Sequence, residues 1–166
     1  NISEIANSFS EFAKMPVPRN ERFELVATVQ KTTDLYSQNN NIKIDFDSKE
    51  TEIFVLGDRM LVNRVITNLI LNGIQSEPPI RLPEIKVKVY KNEEENFGMI
   101  EVKDNGSGIP EEIRKKVFIP NFSTKVGGSG LGLAMAKRGI EHAGGNIWFE
   151  TEEGVGTTFF IDLPIF

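Results

Sequence analysis

The 166-residue sequence contains no cysteine and a single histidine, His142. The lack of cysteine excludes disulfide bonds and thiolate metal sites and weakly favours a reducing compartment. No apolar run approaches the roughly 18 residues of a membrane-spanning helix, and we expect no secretory signal peptide. A net charge of −5 argues against a general surface for nucleic acid or anionic membranes.

The residues that are present, 39% hydrophobic and 26% charged, are typical of one globular domain. Hydrophobic periodicity predicts helices and strands that interleave, which indicates a two-layer α+β fold. The predicted helices cover residues 2–13, 21–38, a segment after Asp58, 110–117 and 133–143, and the predicted strands cover residues 42–46, 53–56, 84–91, 99–104, 146–151 and 157–163.

The stretch "VITNLILNGIQ", residues 65–75, places two asparagines on an apolar helix. Asn68 and Asn72 are four residues apart, so their amides share one face. A buried amide without a partner costs roughly 1–3 kcal/mol. The sequence therefore predicts partners for both amides, either a ligand or a neighbouring strand.

The strand segment "MIEVKD" aligns Ile100, Val102 and Asp104 on one face, which predicts an inward-pointing carboxylate. The glycines of "DNGSGIP", Gly106 and Gly108, then allow a close approach of backbone and ligand. Taken alone, this string is more typical of a hairpin turn.

Two further glycine clusters follow. "GGSGLGLAMAK" leads into a helix start, where free N–H groups favour phosphate, but its spacing fits neither the Walker pattern nor the dinucleotide fingerprint. By itself this cluster is equally a flexible connection, and "GVGTTF" is most simply a turn between strands.

In their order, the asparagine helix, "DNGSGIP", "VFIPNFSTK", "GGSGLGL" and "GVGTTF" resemble the five motif boxes of the sensor histidine kinase catalytic domain, over about residues 55–163. That domain is a Bergerat-fold ATPase, like gyrase B, the ninety-kilodalton heat-shock chaperone and MutL. The resemblance implies a two-layer α/β sandwich in which about five mixed, mostly antiparallel strands pack on three helices, with ATP in the gap. "SEFAKMPVP", "NGIQS" and the short lid resemble the nitrogen-regulation type.

The resemblance also implies roles for individual residues. Asn72 matches the Mg²⁺ ligand, Asn68 the asparagine one turn earlier, Asp104 the acceptor of the adenine amine, and Lys125 a phosphate contact; the two asparagines and the lysine form the catalytic set. The implied nucleotide-binding residues are Asn68, Asn72, Gln75, Asp104, Gly106, Gly108, Ile109, Phe122, Thr124, Lys125, Gly128, Ser129, Gly130, Leu131, Gly132 and Thr157.

Some positions depart from the family pattern without looking disabling. Gly73 stands where alanine is common, Gln75 where lysine is common, and Asn121 where a second phenylalanine is usual. The lid, residues 120–130, is expected to be the most mobile part of the free domain, because glycines flank a polar stretch with little to bury.

The hydrolysing relatives carry a glutamate where this chain has Asn68. A neutral amide cannot take a proton from water at pH 7, which favours phosphoryl transfer to another nucleophile over hydrolysis. The resemblance implies that this nucleophile is a histidine on a helical dimerisation domain. Two alternatives share the binding residues, namely a nucleotide-gated interaction module (a pseudokinase) and a Bergerat-fold ATPase.

Because the chain begins at Asn1 rather than Met, we expect it to be part of a longer protein. Residues 1–15 resemble the tail of the acceptor domain's second helix, residues 16–21 a linker, and residues 22–166 the catalytic domain. His142 is a poor candidate for the acceptor. The implied partners are the acceptor domain, a second copy in the full-length homodimer and a response regulator, and the implied location is the cytoplasm, with membrane anchoring of the full-length protein left open.

Overall fold

Strands and helices alternate along residues 17–39, 41–75, 81–120 and 132–166, which a computed structural model describes. The predicted helix over residues 2–13 and most of the predicted lid lie outside these residues. The elements are β1 (Glu21–Glu24), α1 (Leu25–Asp34), β2 (Lys43–Ser48), β3 (Phe54–Gly57), α2 (Arg59–Ile74), β4 (Glu84–Asn92), β5 (Phe97–Asp104), a 3-10 helix (Glu111–Lys116), α3 (Gly132–His142), β6 (Asn146–Glu152) and β7 (Gly156–Pro164).

Five strands form one sheet in the order β2-β4-β5-β7-β6, and β1 pairs with β3 in a second, two-stranded sheet. The β2–β4 pair is parallel, and the other pairs of the large sheet are antiparallel. The predicted α+β fold, with a mixed and mostly antiparallel sheet of about five strands, is therefore confirmed. No helix within the described part of the chain is long and apolar enough to cross a membrane.

The alternating pattern of β4 shows how the sheet is covered on one face. Ile85, Val87 and Val89 are buried, whereas Lys86 and Lys88 between them are exposed. The α2 helix buries its own stripe against the same core, and each fully buried aliphatic side chain contributes roughly 1.5–3 kcal/mol. The buried residues of α2 are Val62, Val65, Ile66, Leu69, Ile70 and Gly73.

Two predicted helices differ from the structure. The predicted helix over residues 21–38 is wrong at its start, because Glu21–Glu24 form β1 against β3 and the helix runs only over Leu25–Asp34. The second difference is the segment at 110–117, where a 3-10 helix covers Glu111–Lys116 and Pro110 occupies the N-cap position rather than the first helical position. Pairing with a distant strand outweighs local helical periodicity in the first case.

Glu24 fixes the point at which β1 turns into α1. Its backbone is extended, and its carboxylate accepts hydrogen bonds from the N–H groups of Val26 and Ala27, both at 2.8 Å. The same carboxylate accepts a third bond, also 2.8 Å long, from the N–H of Ile53 just before β3. One side chain therefore caps the helix and joins it to the two-stranded sheet.

We predict that Glu24→Ala lowers the free energy of unfolding by about 2 kcal/mol, because the helix loses its cap and the Ile53 N–H loses its acceptor. Urea denaturation measures the change. The matched control is Glu21→Ala, which removes only a surface ion pair with Arg59 and should change stability by less than about 0.5 kcal/mol. Equal losses for the two variants would contradict this role of Glu24.

Candidate functional site

The α2 helix presents Asn68 beside a second helix. Asn68 and Asn72 are half-buried on the face next to the buried stripe. Gly132, the first residue of α3, leaves no room for a side chain, because a Cβ there would collide with Nδ2 of Asn68. The predicted N-cap of α2 is confirmed, since Oδ1 of Asp58 accepts from the Leu61 N–H at 3.2 Å. The cap and the apolar stripe fix which way the amides face.

Asp104 ends β5 on the face that packs against α2. Ile100 and Val102 of the same row are buried, and Asp104 itself is half-buried. A Cβ added to Gly73 would lie 2.9 Å from Cβ of Asp104 and 3.6 Å from its Oδ2. The predicted inward direction of the carboxylate is therefore confirmed, and the carboxylate lies beside the residue that follows Asn72.

Two backbone N–H groups hold the Asp104 carboxylate. Oδ1 accepts from Gly106 at 2.9 Å and from Thr157 at 3.1 Å. Gly106 belongs to the loop that follows β5, whereas Thr157 belongs to β7 and is buried. One oxygen thus ties the loop to the neighbouring strand. The loop continues into the 3-10 helix instead of closing a hairpin.

The loop after β5 rests on the turn between β6 and β7. Gly108 has a φ of +79°, and a Cβ there would lie 2.8 Å from the carbonyl carbon of Glu152. The Gly154 N–H donates to the Ser107 carbonyl at 2.7 Å. Across the same contact, Gly156 packs against the carbonyl of Asp104 so closely that a Cβ there would collide with it. The two glycine clusters, which are 50 residues apart between Gly106 and Gly156, therefore form one unit.

Asn105 and Arg81 join the segment before β4 to the same loop. The Asn105 amide accepts from the Glu84 N–H at 2.9 Å and donates to the Leu82 carbonyl at 3.0 Å. Nη2 of Arg81 donates to the Gly106 carbonyl at 3.0 Å. Sequence reasoning did not identify either residue, because their partners are backbone groups that carry no sequence signal.

Thr151 is a further residue that sequence reasoning missed. Its hydroxyl accepts from the N–H of Ile109, a predicted site residue, at 2.9 Å and lies 2.9 Å from the hydroxyl of Thr157. The sequence carries a signal for the direction of the Thr151 side chain, because Ile147, Phe149 and Thr151 alternate along β6 and so share a face, but no signal for its partners.

The remaining predicted residues lie at the edge of this arrangement or outside the described residues. Gln75 is exposed at the C-terminal cap of α2, where its backbone N–H donates to the Leu71 carbonyl at 3.0 Å. His142 is exposed at the end of α3, with Nδ1 3.0 Å from Nδ2 of Asn20. Those outside the described residues are Phe122, Thr124, Lys125, Gly128, Ser129, Gly130 and Leu131.

The phenylalanine before the predicted lid packs on the sheet. The ring centroid of Phe118 lies 5.9 Å from that of Phe149 and 6.5 Å from that of Phe159, the second pair edge to face. Nζ of Lys137 in α3 lies 5.5 Å from the Phe118 centroid. This aromatic cluster fixes the chain where the described segment of residues 81–120 ends.

Two perturbed acids lie at the other end of the sheet. Burial, with hydrogen bonding and charge from Glu101, raises the pKa of Tyr90 to about 12. Burial also raises the pKa of Asp162, against the opposing effect of its hydrogen bonds from Asn146. Both residues pair with Met99, five residues before Asp104 in β5, so neither shift acts at the candidate site.

Known proteins resemble this chain in both sequence and structure. A family model described as histidine kinase-, DNA gyrase B- and HSP90-like ATPase matches residues 57–165. The signal transduction histidine-protein kinase AtoS of Escherichia coli is 30% identical over 99% of this chain and 27% of its own length. The nitrogen regulation protein NtrY of Azorhizobium caulinodans is 30% identical over 98% of this chain and 22% of its own. The chain thus spans about a quarter of the length of these relatives.

Among solved structures, the catalytic domain of the histidine kinase ThkA superposes with a TM-score of 0.76 at 28% identity, covering 89% of this chain and 96% of that domain. A structure of ThkA in complex with the response regulator protein TrrA also superposes with a TM-score of 0.76, at 25% identity, over 99% of this chain and 47% of that one.

The packing of Gly156 leads to a prediction. Gly156→Ala should lower the free energy of unfolding by about 3 kcal/mol, because its φ of +144° is unfavourable for alanine and the new Cβ would displace the Asp104 carbonyl. Gly154→Ala is the control, since its φ of +80° is also positive but nothing lies within 4 Å, and it should cost about 1 kcal/mol. Urea denaturation compares them, and indistinguishable losses would show that the Asp104 contact is not tight.

Proposed function

Because the chain belongs to the family of histidine kinase-, DNA gyrase B- and HSP90-like ATPases, we propose that it is the ATP-binding catalytic domain of a sensor histidine kinase. It transfers the γ-phosphoryl group of ATP to a histidine on a separate helical acceptor domain. The observation that carries the proposal is the carboxylate of Asp104, which two backbone N–H groups hold beside Gly73 of α2, the residue that follows Asn72.

The Asp104 carboxylate supports adenine as the base. Adenine presents an exocyclic amine, which donates to a carboxylate, whereas guanine presents an oxygen at the same edge and is repelled. The hydrogen bonds from Gly106 and Thr157 fix the orientation of the carboxylate before any ligand arrives. A preorganised acceptor discriminates bases better than a mobile one, because little ordering remains to be done on binding.

The α2 amides fit a magnesium ion that accompanies the phosphates. The described residues contain no group of three or more His, Cys, Asp or Glu side chains that could hold a metal. Asn72 offers an amide oxygen, a hard ligand suited to Mg²⁺, which usually keeps several waters and takes its other ligands from phosphates. When bound, the ion neutralises phosphate charge during transfer. Asn72 would hold the ion, and Asn68, one turn away on the same helix, lies next to Gly132 at the start of α3.

Asn68 supports transfer rather than hydrolysis. Its amide cannot act as a general base at neutral pH, so this position does not activate water. Phosphoryl transfer requires positioning and charge neutralisation more than covalent help from the protein. The domain therefore holds ATP ready for a nucleophile that another domain supplies.

The helical dimerisation domain of the same protein is the proposed source of that nucleophile, within a homodimer. His142 is not the acceptor in this scheme, because it lies at the C-terminal end of α3 beside Asn20. A response regulator is the proposed recipient downstream, by analogy with the ThkA–TrrA complex. The similarity to NtrY supports a kinase of the nitrogen-regulation type.

The nucleotide preference is the first test. The chain should bind ATP with Mg²⁺ more tightly than GTP in isothermal calorimetry, and Asp104→Asn should weaken ATP binding at least tenfold, because an amide NH₂ would face the adenine amine. Asp45→Asn is the control, since Asp45 is exposed on β2 at the far edge of the sheet. Equal affinities of the parental chain for ATP and GTP would remove Asp104 from the base site.

Phosphoryl transfer is the decisive test. With γ-labelled ATP, Mg²⁺ and the cognate helical acceptor domain, the chain should form phosphohistidine on the acceptor, whereas the chain alone should hydrolyse ATP very slowly and remain unlabelled. Asn72→Ala should abolish transfer while keeping metal-free nucleotide binding. Asn63→Ala is the control, because it also removes an asparagine side chain from α2. The amide of Asn63 contacts α1, where its Oδ1 accepts from Thr32 at 3.0 Å.

Three results would contradict the proposal. An acceptor that stays unlabelled although ATP binds normally would favour a nucleotide-gated interaction module. Fast turnover of ATP by the chain alone would favour an ATPase, and stable label on His142 would place the acceptor in this chain.

A further inference from the structure

The hydroxyl of Thr151 joins three segments. It accepts from the Ile109 N–H at 2.9 Å and lies 2.9 Å from the Thr157 hydroxyl and 3.3 Å from the Gly156 carbonyl. Ile109 lies in the loop after β5, whereas Gly156 and Thr157 begin β7. Thr151 and Thr157 are directly opposite each other in the β6–β7 pair, so the strand register itself brings the hydroxyls together.

These hydrogen bonds and two others attach the loop of residues 104–109 to the β6–β7 hairpin at both ends and in the middle. At its first residue, Oδ1 of Asp104 accepts from the Thr157 N–H. At its last residue, the Ile109 N–H donates to Thr151, which lies against the side chain of the same Thr157. In the middle, the Ser107 carbonyl accepts from Gly154 at 2.7 Å. The β6–β7 hairpin therefore holds both ends of the loop, and Thr151 supplies the side-chain contact at one of them.

Burial makes the hydroxyl contact effective. Thr157 is only 5% exposed and Gly156 is buried, whereas Thr151 and Ile109 are half-buried, so these bonds are partly shielded from water. Removing an acceptor from a shielded N–H costs roughly 1–3 kcal/mol, which is about one to two orders of magnitude in an equilibrium constant. The strands themselves stay paired by backbone hydrogen bonds, so this cost falls on the loop.

We propose that Thr151 is a positioning residue for the base side of the nucleotide site. Its hydroxyl fixes Ile109 relative to the Asp104 carboxylate and thereby sets the affinity for adenine. This inference rests on the proposed function, because it takes the base to lie against Asp104. Thr151 acts through the loop and not by contact with the nucleotide.

The test uses Thr151→Val, which keeps the shape of the side chain and removes its hydroxyl, and Thr151→Ser, which keeps the hydroxyl. Thr158→Val is the matched control, because Thr158 follows Thr157 on β7 and its side chain therefore points to the opposite face of the sheet. Isothermal calorimetry gives the affinity of each variant for ATP and GTP with Mg²⁺. Hydrogen exchange of the Ile109 amide without ligand reports on the loop.

Thr151→Val should weaken ATP binding roughly tenfold, leave the weak binding of GTP unchanged and speed exchange at Ile109. Thr151→Ser should restore ATP affinity to within about twofold, and Thr158→Val should match the parental chain. If Thr151→Val does not fold, the pair Thr151→Ser and Thr151→Ala makes the same comparison of a side chain with and without the hydroxyl.

Three results would overturn the inference. Parental ATP affinity in Thr151→Val would show that the base does not depend on this hydroxyl. An equal loss for ATP and GTP would show a general structural defect and not positioning of the base. Absence of any nucleotide binding by the parental chain would overturn the proposed function together with this inference. The first two results overturn the inference alone, so the two failures are distinguishable.

Discussion

One carboxylate oxygen organises the centre of this domain. Oδ1 of Asp104 accepts from Gly106, in its own loop, and from Thr157, in the next strand of the sheet. Because the donors come from different segments, the direction of the carboxylate is set by the sheet and not by the loop alone. The helix layer contributes from the other side, where Gly73 leaves the space that the side chains of Ile85 and Asp104 fill.

The close packing of helix, loop and hairpin around Asp104 requires glycine, and glycine lowers local stability. Gly73 weakens the interior of α2 by up to about 1 kcal/mol relative to alanine, yet a Cβ there would meet both Ile85 and Asp104. Gly108 and Gly156 have positive φ angles and pack against backbone atoms of other segments. The domain therefore gives up local stability where α2, the loop after β5 and the β6–β7 hairpin meet. Such conflicts between local preference and global fold are expected at functional sites.

The sequence predicted the parts of the site that depend on periodicity. The row of Ile100, Val102 and Asp104 and the cap at Asp58 follow from the repeat of a strand and the chemistry of a helix start, and both are confirmed. The start of α1 was not predictable in this way, because β1 is defined by pairing with β3, 30 or more residues later.

Tertiary contacts explain the other differences. Thr151 alternates like any strand residue, and nothing in that pattern indicates that its hydroxyl meets Ile109, 42 residues earlier. Gly73 stands where alanine is common in the family, and helix propensity alone makes this a small loss, whereas the structure shows a point of contact between helix and sheet. The roles of Lys125 and its neighbours stay predictions, because these residues lie outside the described part of the chain.

The way the chain enters the domain matters for anyone who joins another protein module to it. The backbone N–H of Arg19 donates to Oδ2 of Asp58, the residue whose other oxygen caps α2, and Nδ2 of Asn20 reaches Nδ1 of His142 at the end of α3. The first bond needs only a backbone N–H, so any residue except proline preserves it, whereas the second needs the asparagine side chain. A hybrid protein spliced before Arg19 keeps both attachments, and one spliced after Asn20 replaces them with whatever sequence the donor brings.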